Sequence, residues 1–153
     1  MENVVVHIIS HSHWDREWYL PFESHRMQLV ELFDNLFDLF ENDPEFKSFH
    51  LDGQTIVLDD YLEIRPENRD KVQRYIDEGK LKIGPFYILQ DDYLISSEAN
   101  VRNTLIGQAE CAKMGQIYSK LVTSPDTFWK YGTSASKFFK KIRHSRGSLW
   151  SVV

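Results

Sequence analysis

The sequence predicts an α/β fold built on parallel strands, and three observations lead there. Strand-length apolar runs alternate with helical patterns in the order strand, helix, strand, helices, strand, helix. The strand-like runs are nearly continuous in apolar character, as in a sheet covered on both faces. Polar residues collect where each run ends: His11 to Trp18, Asp52 to Gln54, and Asp91 to Asp92. In parallel α/β folds those ends share one face, and ligands bind on it. Three strands and four helices do not close a barrel, so the sheet is expected to be incomplete.

Val4 to Ser10 reads as the first, buried strand, and a loop follows it through Pro21. From near Ser24 to Asn42 the spacing predicts a helix, because Leu29, Phe33, Leu36, Phe37 and Phe40 recur every three or four residues. These phenylalanines read as core. Asn42-Asp43-Pro44 stops the helix. Phe46 to Leu51 is the second strand, and Thr55 to Ile64 a helix burying Ile56, Leu58, Tyr61 and Leu62. Pro66 opens a further helix through Glu78, which Gly79 ends in the left-handed position. Leu81 to Leu89 is the third strand. Ser97 and Glu98 then begin a long helix capped by a serine oxygen, with Val101, Leu105, Ala109 and Ala112 as its stripe and Ile117 near its end.

At 153 residues the chain has room for one modest domain. Its 42% hydrophobic and 27% charged content is ordinary for a soluble protein. The 14% aromatic content fits either a large core or sugar-stacking surfaces. Net charge is −5, unevenly spread: up to Asp126 there are 12 basic and 23 acidic residues, and beyond it six basic residues and no acid. A short basic tail alone does not argue for nucleic acid, and no stretch approaches membrane-spanning length. Nor is there a signal peptide pattern, so a cytoplasmic protein is expected. Cys111 is the single cysteine, within a helical pattern; no internal disulfide can form, and a small buried residue is expected rather than a reactive thiol.

The chemistry concentrates in His11-Ser12-His13-Trp14-Asp15-Arg16-Glu17-Trp18. His13 and Asp15 are two apart, so in extended backbone their side chains point the same way. An imidazole and a carboxylate converging on one point can form half of a divalent-metal site. Taken singly, each residue has a plainer reading. His13 and Asp15 could be a hydrogen-bonded loop, Asp126 a turn or N-cap aspartate, and Trp18 a core residue. Asp52, Asp91 and Asp92 read equally as site-lining acids or solvated strand-end acids. His7 reads as structural, and His25 and His50 carry no signal.

Taken together, the residues resemble the N-terminal part of glycoside hydrolase family 38 α-mannosidases of the bacterial type. The opening signature H-S-H-x-D-x-x-W stands here as His11 to Trp18. Leu51-Asp52-Gly53-Gln54, Ile83-Gly84-Pro85-Phe86-Tyr87, Ser97-Glu98-Ala99, Arg102-Asn103 and Ser124-Pro125-Asp126-Thr127-Phe128 are also similar. The resemblance runs from about residue 3 to residue 128. It implies the first part of a parallel (β/α)7-type barrel. It also implies a zinc ion held by His13, Asp15 and Asp126 together with a histidine beyond this chain. Asp126 would double as the nucleophile of a retaining reaction, Trp18 would stack on the sugar, and His11 would support the ligands. The substrate class implied is a mannose-containing oligosaccharide or glycan. The general acid, like the fourth ligand, has no counterpart in this sequence.

The family motif continues P-D-T-F-G-N-M-G-Q-A, whereas this chain reads Phe128-Trp129-Lys130-Tyr131-Gly132-Thr133-Ser134. Those seven residues can be encoded TTT TGG AAA TAT GGG ACA AGC. Deleting one T gives TTT GGA AAT ATG GGA CAA GC, which encodes Phe-Gly-Asn-Met-Gly-Gln-Ala, the family motif. Residues 1–128 are therefore expected to be a partial catalytic domain and 129–153 an out-of-frame tail. The expected activity is retaining, metal-dependent hydrolysis of terminal α-linked mannose, with this chain a truncated and inactive piece. The competing readings are a non-enzymatic fragment, a carbohydrate-binding remnant, or another metal-dependent barrel hydrolase such as a deacetylase.

Overall fold

The computed structural model describes residues 8–91 and 94–115. In chain order they form α1 (Phe22–Asn42), β1 (Phe49–His50), α2 (Ile56–Ile64), a 3-10 turn (Pro66–Asn68), α3 (Arg69–Asp77), β2 (Leu81–Lys82) and α4 (Ser97–Lys113). β1 and β2 pair in parallel, Phe49 with Leu81 and His50 with Lys82. On the other side of β1, His11 bridges His50, also in parallel. The His50 N–H donates to the Ser10 carbonyl (2.9 Å) and the Ser12 N–H to that of His50 (3.3 Å). Three parallel segments thus lie side by side in sequence order, joined by helical crossovers, which is the expected α/β arrangement.

β1 and β2 are both shorter than the apolar runs predict. Of Val4 to Ser10, residues 4–7 lie outside the described residues, and Ile8 is 91% exposed rather than buried. β1 occupies only Phe49–His50 because Asp52 and Gly53 both adopt positive φ (50° and 83°) and turn the chain at once. The Gln54 N–H closes that turn on the Leu51 carbonyl. Two successive positive-φ residues favour Asp and Gly for steric reasons. After β2 the backbone leaves the ladder. The Phe86 N–H donates to the Gly53 carbonyl (2.8 Å) and that of Tyr87 to Asn103 of α4 (3.1 Å).

The core follows the predicted stripes. Leu29, Phe33, Leu36, Phe37 and Phe40 of α1 are buried, as are Ile56, Leu58, Tyr61 and Leu62 of α2. Aromatic rings join the helices: Phe33 stacks on Tyr61 with centroids 4.4 Å apart, and Phe37 and Phe40 meet Tyr75 of α3 at 5.2 and 4.9 Å. The phenolic ends stay satisfied. Tyr61 donates to Asp34 and accepts from Asn68, and Tyr75 donates to Glu41. Gly79 has the expected left-handed φ of 72°.

α4 departs from its predicted face. Its buried residues are Asn103, Thr104, Gly107 and Cys111, while Leu105 is 56% exposed and Ala109 and Ala112 face outward. The helix docks on backbone rather than on apolar side chains. The Asn103 amide donates to the Ile88 carbonyl and accepts from the Ile88 N–H. Gly107 lies so close to the 85–87 segment that a Cβ there would sit 2.1 Å from the Phe86 carbonyl carbon. Such docking needs a small and a polar residue, which a search for apolar periodicity passes over. The cap comes from Ser96, whose Oγ accepts from the Ala99 N–H (3.1 Å); Ser97 is the first helical residue. Ile117 lies outside the described residues.

Candidate metal centre

The octet and the turn after β1 meet because Ser10–Ser12 lies beside β1. Asp52, at 0% exposure, stands beneath both histidines. His13 Nδ1 donates to Asp52 Oδ2 (3.0 Å), and His11 Nδ1 lies 3.3 Å from Oδ1. The other His13 nitrogen, Nε2, is 3.3 Å from Asp15 Oδ1. His13, Asp15 and Asp52 therefore form one chain of contacts, and the His13 and Asp15 side chains do converge.

Five further contacts hold the loop. The Gln54 side-chain amide donates to the Trp14 carbonyl (2.9 Å). Trp14 stacks on His25 with centroids 4.1 Å apart, and His25 Nδ1 lies 3.3 Å from the Arg16 carbonyl. Arg16 grips the buried Asp60 of α2 with both ends of its guanidinium, at 2.7 and 3.0 Å, and lies over the Phe22 ring. The hydrogen bond to Asp60 raises the Arg16 pKa further, against the opposing effect of burial. His25 and Asp60, which sequence reasoning did not single out, are thus the supports of the octet. The signal of Asp60 was weak because its partner lies 44 positions away along the chain.

The residue types suit a divalent cation. With metal–nitrogen and metal–oxygen bonds of about 2.0–2.2 Å, ligands at a tetrahedral angle stand about 3.3–3.6 Å apart. The His13–Asp15 separation matches this. In a neutral ring with Nδ1–H given to Asp52, Nε2 would turn its lone pair toward a carboxylate oxygen, and a cation between them would convert repulsion into attraction. Among the described residues no group of three or more His, Cys, Asp or Glu is arranged to hold a metal. The expected third donor, Asp126, lies outside the described residues, as do Asp92 and the tail 129–153. Trp18 is 77% exposed beside Tyr19 and Leu20. Asp91 is half-buried, and its carbonyl accepts from the Leu94 and Ile95 N–H groups. Cys111 is buried, as expected, and burial pushes its thiol up to about 12.

Imidazoles and carboxylates thus gather past the strand ends of a parallel α/β layer, the side of such folds on which ligands bind. The sequence pattern of the glycosyl hydrolases family 38 N-terminal domain matches residues 3–144, and the chain belongs to that family. It is 59% identical over 126 residues to a protein of Halalkalibacterium halodurans assigned as a mannosylglycerate hydrolase. The aligned part is 82% of this chain and 14% of the relative. Two crystal structures from Enterococcus faecalis are similar at 63% identity. One is an α-mannosidase of strain V583 (TM-score 0.77, 84% of this chain and 14% of that one). The other is a glycosyl hydrolase family 38 protein (TM-score 0.70, 78% and 14%). The chain thus spans about one seventh of the length of these relatives. Among the described residues no helix is long and apolar enough to cross a membrane.

Proposed function

We propose that this chain carries the first part of the active site of a retaining, zinc-dependent α-mannosidase acting on terminal α-linked mannose. The observation that carries the reading is the His13–Asp15 pair, held at ligand spacing over buried Asp52. His13 Nε2 and Asp15 Oδ1 would hold the metal with Asp126, and the metal when bound would polarise the sugar hydroxyls. Trp18, exposed on the same loop, would stack on the ring. Asp126 would attack the anomeric carbon as the glycosidic bond breaks, the departing oxygen taking a proton from a second carboxyl group; the resulting glycosyl-enzyme ester would then be hydrolysed by water, which gives its proton back to that carboxylate. The relative assigned as a mannosylglycerate hydrolase favours a small mannoside, mannose linked to glycerate, within this class. The barrel, the cytoplasmic location and the out-of-frame origin of residues 129–153 belong to the same proposal. Reading the gene downstream tests that origin, and a continuation coding for unrelated protein overturns it.

Residues 1–153 by themselves are expected to bind zinc weakly and to turn nothing over, since the resemblance assigns only three metal ligands and no general acid among them. The test is calorimetric zinc titration together with an assay on an activated aryl α-mannoside. Zinc binding abolished by His13→Ala supports the site, and binding unchanged by that substitution overturns it. Turnover above the His13→Ala background overturns the reading as an inactive piece.

A further inference from the structure

We infer that Asp52 is the positioning residue of this centre: it fixes His13 in the tautomer that presents Nε2 to the metal and holds His11 beside it. The inference rests on the metal-site reading above but concerns a residue that binds no metal. Three observations carry it. Asp52 is fully buried, although it is a carboxylate at the end of a two-residue strand. Each of its oxygens faces a different imidazole, Oδ2 at 3.0 Å from His13 Nδ1 and Oδ1 at 3.3 Å from His11 Nδ1. Its backbone sits at φ 50°, a conformation uncommon outside glycine, so the turn and the carboxylate are placed together.

A neutral imidazole carries one N–H. A carboxylate accepts and never donates, so the proton belongs on the nitrogen facing it. That nitrogen is Nδ1, which leaves the Nε2 lone pair directed at Asp15. A carboxylate behind a ligating histidine fixes ring orientation and raises its basicity, and its loss weakens metal binding by about 10–100-fold. His11 shares the same carboxylate, so the two rings are set as a pair.

The test uses the full chain with nitrogen-15-labelled histidine. Long-range nitrogen–proton spectra of the metal-free protein, taken at alkaline pH where the rings are neutral, read the tautomers directly. His13 is expected as the Nδ1–H form. An Nε2–H form, or a rapidly exchanging mixture, overturns the inference. In Asp52→Asn the Nδ1–H preference is expected to disappear and zinc affinity to fall about 10–100-fold; an unchanged tautomer in a folded variant overturns it. The wild-type spectrum needs neither metal nor variant. Zinc failing to bind the wild type would therefore count against the metal reading alone, while the tautomer still decides on Asp52.

Discussion

Arg16 sets the register of the opening loop more firmly than any other side chain in it. Its guanidinium makes a two-pronged contact with Asp60, whose side chain is 7% exposed, and that contact ties residues 14–17 to α2. Removing one partner of a buried ion pair leaves a charge without compensation, which typically costs 3–5 kcal/mol. Arg16→Ala is expected to lower stability by about 3 kcal/mol, read as a shift in urea midpoint. A change below about 0.5 kcal/mol, as at ordinary surface sites, would show that the pair does not anchor the loop. At this scale the sequence was legible in part. The H-x-H-x-D spacing showed which side chains could converge, because two residues apart in extended backbone share a side. It gave no hint that Asp52 would lie beneath the histidines rather than in solvent, since both readings suit an acid after a strand. Nor could it pair Arg16 with Asp60, 44 positions away.

Among the elements, α1 and α2 behave as their periodicity requires, because their partners are apolar rings and apolar burial has a repeat that sequence displays. α4 does not, because its partner is the backbone of the 85–88 segment. Gly107 gives a sharp test. In an exposed helix, glycine to alanine stabilises by about 1 kcal/mol. Here the added Cβ would meet the Phe86 carbonyl carbon at 2.1 Å and the Pro85 oxygen at 2.4 Å, both main-chain atoms. Gly107→Ala is therefore expected to destabilise by about 1–3 kcal/mol, measured by chemical denaturation. A more stable variant would mean that α4 does not press on this loop. The predicted strands were too long for a related reason. Apolar runs report burial, and Ile83 and Phe86 are buried without belonging to a ladder.

For the whole molecule, stability should respond to pH through the centre of its small sheet. His50 is 2% exposed between His11 and Lys82, and burial holds its pKa below the ordinary histidine value. Asp52 opposes that shift, and the charges of His11 and Lys82 reinforce it. Because the unfolded chain takes up this proton more readily than the folded one, the His50 contribution is fully present above about pH 6.5 and is lost as pH falls below it. Melting temperature is expected to decline between about pH 7 and pH 5, and His50→Gln to flatten that decline. An identical slope in the variant would assign the effect to other groups. By itself the sequence determined the α/β alternation, the aromatic core of α1 and α2, the family, and the octet proposed to carry the chemistry. These depend on periodicity and on neighbours close along the chain. Only the tertiary structure decided that β1 breaks at Asp52, that α4 docks through Asn103 and Gly107, and that one buried carboxylate serves two histidines. Those outcomes depend on contacts between distant segments, where backbone geometry and desolvation rather than residue pattern choose the partner.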